Sequence, residues 1–245
     1  MSDRIAIVTG AAKGIGLAIT QRLQDDGFKV IAVDVDEKAG ADAFGDPTDG
    51  TVLFRSCDIS NEQQVDELFQ SIHEEFGSVD VLVNNAGIIR DKMIWKMSLG
   101  DFEKVVDVNL KGTWLMCREA SKIMKQQETG RIINIASRAW LGNRGQSNYA
   151  ASKAGVVSLS RVLALELGRY NVFVNTIAPG LIDTPLTQAL PDEVRAKLIE
   201  AQPTRTMGKP EDVANVVAFL AAASTQFITG QTIYVDGGKS IGAGI

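Results

Sequence analysis

Ile5-Ala-Ile-Val-Thr-Gly-Ala-Ala-Lys-Gly-Ile-Gly16 joins a short apolar run to a turn with glycines at 10, 14 and 16. Ile5 to Val8 carries no polar residue, which fits a strand buried on both faces. Glycine serves such a turn in three ways: it takes tight backbone angles, lets a pyrophosphate approach closely, and lets a helix pack against the strand. The stretch from Gly14 to Gln24 reads as that helix, with Ile15, Ala18, Ile19 and Leu23 on one side. Its N-terminus offers free N–H groups and the positive end of the helix dipole to phosphates. Three glycines could also be plain βα punctuation; position argues for more, because this is the first strand and an acid closes the second.

That acid, Asp34, lies 18 residues beyond Gly16 at the end of the apolar run Lys29 to Val33. The spacing suits a carboxylate that hydrogen-bonds ribose hydroxyls and repels a 2′-phosphate, so NAD(H) is expected in preference to NADP(H). Lys13, a basic residue in the turn, argues mildly the other way, and a solvated strand end is the plain alternative for Asp34.

Outward from this unit the chain keeps alternating. Strands are expected at Thr51 to Phe54, Val79 to Val83, Arg131 to Ala136, Val172 to Ala178 and Thr232 to Val235. Helices are expected at Glu62 to Phe76, Leu99 to Met124, Asn148 to Gly168 and from about Pro210, where proline suits a first helical position. No linker, repeat or low-complexity stretch interrupts the series. The pattern predicts one α/β domain over 1–245: a Rossmann-like, doubly wound parallel sheet of about seven strands with helices on both faces. Ligands in such sheets bind beyond the carboxyl ends of the strands.

Composition excludes several classes. A formal net charge of −5 and a pI near 5.0 argue against a nucleic-acid partner. No apolar run reaches the roughly 18 residues that a membrane span needs. Met1-Ser-Asp-Arg4 leads straight into the first strand, so no cleaved leader is expected. Cys57 and Cys117 lack metal-ligand spacing and read as buried thiols, and the only histidine, His73, sits among Glu74 and Glu75 on a charged helix face. A cytoplasmic protein without a metal is the expectation.

Ser147-Asn-Tyr-Ala-Ala-Ser-Lys-Ala-Gly155 puts Tyr149 and Lys153 four residues apart, on one face of a helix. An ordinary phenol titrates near ~10, and a nearby cation in a water-poor site would lower that value. Alone, the pair reads more readily as a coincidence of helix spacing than as a site.

The spacing T-G-x-x-x-G-x-G, Asn84-Asn-Ala-Gly87 after the fourth strand, and Tyr149-x-x-x-Lys153 together resemble the short-chain dehydrogenase/reductase family. Cys57-Asp-Ile59, Val108-Asn-Leu-Lys111, Ile133-Asn-Ile-Ala-Ser137, Pro179-Gly180 and Tyr234-Val-Asp-Gly-Gly238 extend the resemblance over essentially the whole chain. It looks most like the branch of 3-oxoacyl thioester reductases and bacterial secondary-alcohol dehydrogenases.

The resemblance implies a catalytic set of Asn109, Ser137, Tyr149 and Lys153. Tyr149 would be the acid or base, Ser137 would bond the substrate oxygen, Lys153 would hold the nicotinamide ribose and lower the Tyr149 pKa, and Asn109 would anchor a relay water. It implies cofactor contacts at Gly10, Lys13, Gly14, Ile15 and Gly16, at Asp34, at Asp58 and Ile59, and at Asn85, Ala86 and Gly87. Further contacts would come from Tyr149, Lys153, Pro179, Gly180, Ile182 and Thr184. Ser137 and Tyr149 are 12 apart where near relatives commonly have 13, so the loop between them takes its own path. Met93, Trp95, Trp140 and Leu141 are candidates for the substrate pocket, with core cover as the alternative for both tryptophans. The stretch 181–207, broken by Pro185, Pro191 and Pro203, is expected to be a substrate lid.

The family's members are mostly homotetramers, which would use the surplus apolar residues of the two long helices. The leading expectation is a dehydrogenase acting on a small-molecule alcohol or ketone with NAD(H). The alternatives are a 3-oxoacyl-[acyl-carrier-protein] reductase using NADPH, opposed by Asp34 and by the weakly basic Lys125-Gln-Gln-Glu128, and a non-catalytic nucleotide sensor.

Overall fold

The computed structural model describes residues 4–45 and 50–241. The opening Met1-Ser-Asp, on which the leader expectation rests, lies outside the described residues. Among the described residues, strands β1 (Arg4–Thr9), β2 (Phe28–Asp34), β3 (Val52–Ser56), β4 (Val81–Asn84), β5 (Gly130–Ile135), β6 (Val172–Pro179) and β7 (Thr232–Val235) form one sheet in the order β3-β2-β1-β4-β5-β6-β7. Every neighbouring pair is parallel. The expected doubly wound α/β sheet is therefore observed. The order reverses between β1 and β4, which places the switch point beside the glycine turn.

The continuous apolar runs are explained by burial on both sides. Along β1, Ile5 and Ile7 face one core and Ala6 and Val8 the other. The first core holds Val65, Leu68 and Ile72 of α3 (Glu62–Phe76), Leu115 and Met116 of α5 (Thr113–Gln127), and Ala164 and Leu167 of α6 (Ser147–Leu167). The second holds Ile19 and Leu23 of α1 (Gly14–Asp25) and Val213 and Val217 of α9 (Pro210–Ala221). Ile7, Ile19, Ile31 and Leu82 are fully buried, each contributing about 1.5–3 kcal/mol relative to exposure.

Three segments differ from the sequence reading. The stretch after β2 contains a helix, α2 (Glu37–Phe44), capped by Asp36, whose carboxylate accepts from the Ala39 N–H. The expected helix Leu99 to Met124 is split: α4 (Leu99–Val106) and α5 are joined by a π-helical turn, Asp107–Gly112. The interval 181–207 contains α7 (Pro185–Gln188) and α8 (Asp192–Glu200), because Pro185 starts one helix and Pro191 caps the next. A bridge between Ile182 and Gly208 closes the base of this excursion. Among the described residues no helix is long and apolar enough to cross a membrane.

Candidate active site

The carboxyl ends of β1, β4 and β5 converge on one cleft, and the glycine turn is built into its floor. Gly10 and Gly14 have φ of +62° and +57°, the left-handed region that favours glycine. A Cβ at Gly16 would lie 2.0 Å from the Gly10 carbonyl oxygen, so the third glycine is required by packing within the turn itself. The N-cap of α1 is Lys13, and no side chain caps the helix. Its first-turn N–H groups, with no acidic residue beside them, fit the pyrophosphate of a dinucleotide.

The turn after β4 is lashed to this floor. The Thr9 hydroxyl accepts from the N–H groups of Asn85 (3.0 Å) and Ala86 (3.1 Å), and Asn85 Nδ2 donates to the carbonyls of Thr9 and Gly10 at 3.0 and 3.1 Å. Thr184 comes in from the far side: a Cβ on Gly14 would sit 3.6 Å from its Cγ2. Pro179 ends β6, and Gly180 packs so closely on Asp236 that a Cβ would lie 2.7 Å from the Asp236 Cα. Ile182 is buried, and so is Ile59, next to Asp58. The Asp58 carboxylate accepts from the Ser60 N–H (2.9 Å) and hydroxyl (2.6 Å). Burial pushes its pKa up, but the Ser60 bonds and the charges of Lys104 and Lys111 outweigh this and leave it lowered.

The candidate reacting groups meet where β5 ends and α6 begins. Ser137 follows β5 and its Oγ accepts from the Ala139 N–H at 3.1 Å; its hydroxyl stands close enough to the Tyr149 phenol to lower the phenol's pKa. Lys153 is 3% exposed, donates from Nζ to the Ile135 carbonyl at 2.8 Å, and stands 5.8 Å from the centre of the Tyr149 ring. An ammonium has three donors, so donors remain for the hydroxyls of a ribose. A Cβ on Gly87 would fall 3.2 Å from Asn109 Oδ1 and 3.4 Å from Lys153 Nζ, so these three residues close one corner.

One expectation is corrected by this geometry. Tyr149 stands above its ordinary pKa, not below: burial raises it, the Ser137 bond works the other way, and the charge of Asp91 raises it further. Burial also lowers Lys153 to about 8. Desolvation thus dominates at both groups in the protein alone. Asn109 is fully buried, and its amide is committed: Oδ1 accepts from the Ile88 N–H (2.8 Å), while Nδ2 donates to the Ile88 carbonyl (3.0 Å) and to Ser152 Oγ (3.2 Å). It lies in the π-helical turn, a feature that often marks functional positions and that no periodicity in the sequence announces.

The pocket candidates separate. Trp140 packs with Leu110 against Ala136, Val156 and Val157, so it covers a small core. Trp95 and Leu141 are exposed, at 71% and 50%, and Met93 is partly buried. Sequence reasoning missed Asp91, whose Oδ2 accepts from Gln146 Nε2 at 2.7 Å beside the start of α6. Among the described residues no group of acidic, histidine and cysteine side chains could hold a metal.

A family model described as Enoyl-(Acyl carrier protein) reductase matches residues 10–240. The (2S)-[(R)-hydroxy(phenyl)methyl]succinyl-CoA dehydrogenase subunit BbsD of Thauera aromatica is 42% identical over 100% of this chain and 99% of its own length. The 3-oxoacyl-[acyl-carrier-protein] reductase FabG of Thermotoga maritima is 38% identical, covering 98% of this chain and 99% of the relative. The crystal structure of levodione reductase superposes with a TM-score of 0.92 at 34% identity, covering 99% of each chain.

These relatives overturn the expectation that NAD(H) is favoured. Most of the curated relatives, at 38–40% identity, are 3-oxoacyl-[acyl-carrier-protein] reductases, which are NADPH-dependent. Asp34 also has a structural role: its two oxygens accept the backbone N–H groups of Ala12 and Asp36, each at 3.1 Å. Asp34 holds the two turns together, so its presence at the strand end does not establish a ribose contact. Motifs, sheet order and full-length similarity agree that the chain belongs to the short-chain dehydrogenase/reductase family and is an NAD(P)(H)-dependent oxidoreductase.

Proposed function

We propose that this protein reduces the keto group of a 3-oxoacyl thioester, carried on acyl carrier protein, to a secondary alcohol with NADPH. The observation that carries the reading is the convergence of Tyr149, Ser137 and Lys153 at the end of β5, beside a glycine turn suited to a dinucleotide. When bound, the nicotinamide supplies a hydride to the carbonyl carbon. Tyr149, kept neutral by burial, donates its proton to the carbonyl oxygen, and the Ser137 hydroxyl stabilises the charge that develops there. Lys153 holds the ribose and becomes the closest cation to the phenolate that forms.

The thioester reading is supported by the relatives' names, which specify acyl-carrier-protein or CoA substrates. An acidic carrier also finds cations the sequence stretch alone does not suggest: Lys125 and Arg169, both exposed, lie 5.3 and 4.7 Å from the Tyr170 ring centre. A homotetramer is part of the proposal, with exposed Leu99, Trp114, Leu165 and Phe227 as surface for subunit contacts.

The test is a panel of acetoacetyl-acyl carrier protein, acetoacetyl-CoA and a simple cyclic ketone, each with NADPH and NADH, followed at the nicotinamide absorbance band. Highest kcat/KM for the carrier thioester with NADPH supports the reading. Turnover confined to the simple ketone, or to NADH, refutes it.

A further inference from the structure

Beyond β4, Arg90-Asp91-Lys92 leads into a short parallel contact with the segment before α6. Lys92 forms an isolated parallel bridge with Gln146, and its N–H donates to the Gly145 carbonyl at 2.9 Å. Backbone paired in this way sends successive side chains to opposite sides. Arg90 and Lys92 share one side, where Asp101 accepts from both, at 3.0 and 2.9 Å. Those two bonds and a third from Ser98 hold Asp101 well below the usual carboxylate range. The two cations flanking Asp91 in sequence are thereby drawn away from it.

Asp91 points the other way and accepts from Gln146 Nε2. Gln146 is buried, and its Oε1 accepts from Asn143 Nδ2 at 2.9 Å, so the amide is fixed with its nitrogen toward Asp91. Gln146 immediately precedes α6 and lies three residues before Tyr149. The Asp91 side chain is exposed as a whole, yet burial raises its carboxyl pKa against the opposing Gln146 bond; it has no ion-pair partner among the described residues, and its charge bears on the Tyr149 phenol.

We propose that Asp91, held by Gln146, is a specificity-determining residue: it selects a neutral group over a carboxylate next to the carbonyl that Tyr149 protonates. The inference rests on the thioester reading above. In a free 3-oxo acid the carboxylate carbon is two bonds from the keto carbon. With that keto oxygen at Tyr149, the carboxylate enters the same field that opposes a phenolate. A thioester or ester at the same carbon carries no charge and meets no such repulsion. The site therefore takes 3-oxoacyl thioesters and esters and rejects the free acids that hydrolysis of those thioesters releases.

The experiment compares ethyl acetoacetate with acetoacetate in the full-length wild type and in Asp91→Asn, using NADPH. Asparagine keeps the shape and still accepts from Gln146. The ratio of kcat/KM, ester over acid, is expected to fall about tenfold in the variant, a change of about 1.4 kcal/mol. Added salt is expected to raise acetoacetate turnover in the wild type more than in the variant, because only the wild type has a charge to screen. Where acetoacetate turnover falls below detection, its Ki against ester reduction supplies the same ratio. A ratio within about twofold of wild type and an identical salt response overturn the role of Asp91 while leaving the thioester reading intact. A wild type that reduces neither the ester nor acetoacetyl thioesters refutes that reading and this inference with it.

Discussion

Replacing Lys153 with methionine is expected to stabilise the protein while removing its activity. Lys153 is 3% exposed, and burial brings its pKa from 10.5 to about 8. That drop corresponds to about 3 kcal/mol by which folding disfavours the charged amine at neutral pH. Methionine fills similar volume without a charge but leaves the Ile135 carbonyl without its 2.8 Å partner, at a cost of about 1–2 kcal/mol. The net expectation is a gain of about 1–2 kcal/mol at pH 7.

The pH dependence gives a sharper test. A lysine with a lowered folded pKa is charged in both states below about 8, so the penalty there is constant. Between about 8 and 10.5 the unfolded chain binds more protons than the folded one, so wild-type stability rises with pH relative to the variant. Guanidinium denaturation of both proteins without cofactor, at equal concentration and at pH 7 and 9.5, reads this directly. The advantage of Lys153→Met is expected to shrink by about 2 kcal/mol between the two pH values. A variant less stable than wild type at pH 7, or a difference that does not change with pH, would show that Lys153 is not a desolvated cation held at a cost in stability.

Ser137→Ala is expected to lower kcat about 10²–10³-fold with little change in the KM for NADPH, measured by initial rates, since it removes a donor to the developing oxyanion. Gly16→Ala is expected to lower the melting temperature and weaken NADPH binding in fluorescence titration, because its methyl would meet the Gly10 carbonyl at 2.0 Å. Size-exclusion chromatography with light scattering is expected to give about four times the 26.3 kDa chain mass; a monomer would refute the tetramer.

The fold was legible in sequence where burial leaves a run with no polar residue. Ile5 to Val8 and Val30 to Val33 read as interior strands because both faces are covered, and α3 read correctly at both ends because its period of 3.6 is bounded by Asn61 and Gly77. The rest was hidden for physical reasons. A π-helical turn at 107–112 inserts one residue without disturbing the run of helix formers around it. Pro185 and Pro191 look like breakers yet occupy helix starts, where their missing N–H costs nothing.

The candidate site was legible as a set of positions and less so as chemistry. Tyr149, Ser137 and Lys153 do converge, but the direction of their pKa shifts depends on how deeply each is buried. Asp34 has the expected spacing, yet its oxygens also accept the Ala12 and Asp36 N–H groups, partners that no spacing rule reveals. Asp91 went unseen because its role depends on which way alternate side chains of the segment beyond β4 turn, and that is settled only when Asp101 captures Arg90 and Lys92.

The central claim is that the Tyr149 phenol delivers the proton that accompanies hydride transfer. Single-turnover reduction of acetoacetyl-acyl carrier protein by Tyr149→Phe, with NADPH affinity measured separately by fluorescence, tests it most directly. The account predicts NADPH binding within about threefold of wild type and a chemical step slower by about 10³-fold or more. A variant that binds NADPH normally and reduces the thioester within about tenfold of the wild-type rate would contradict it.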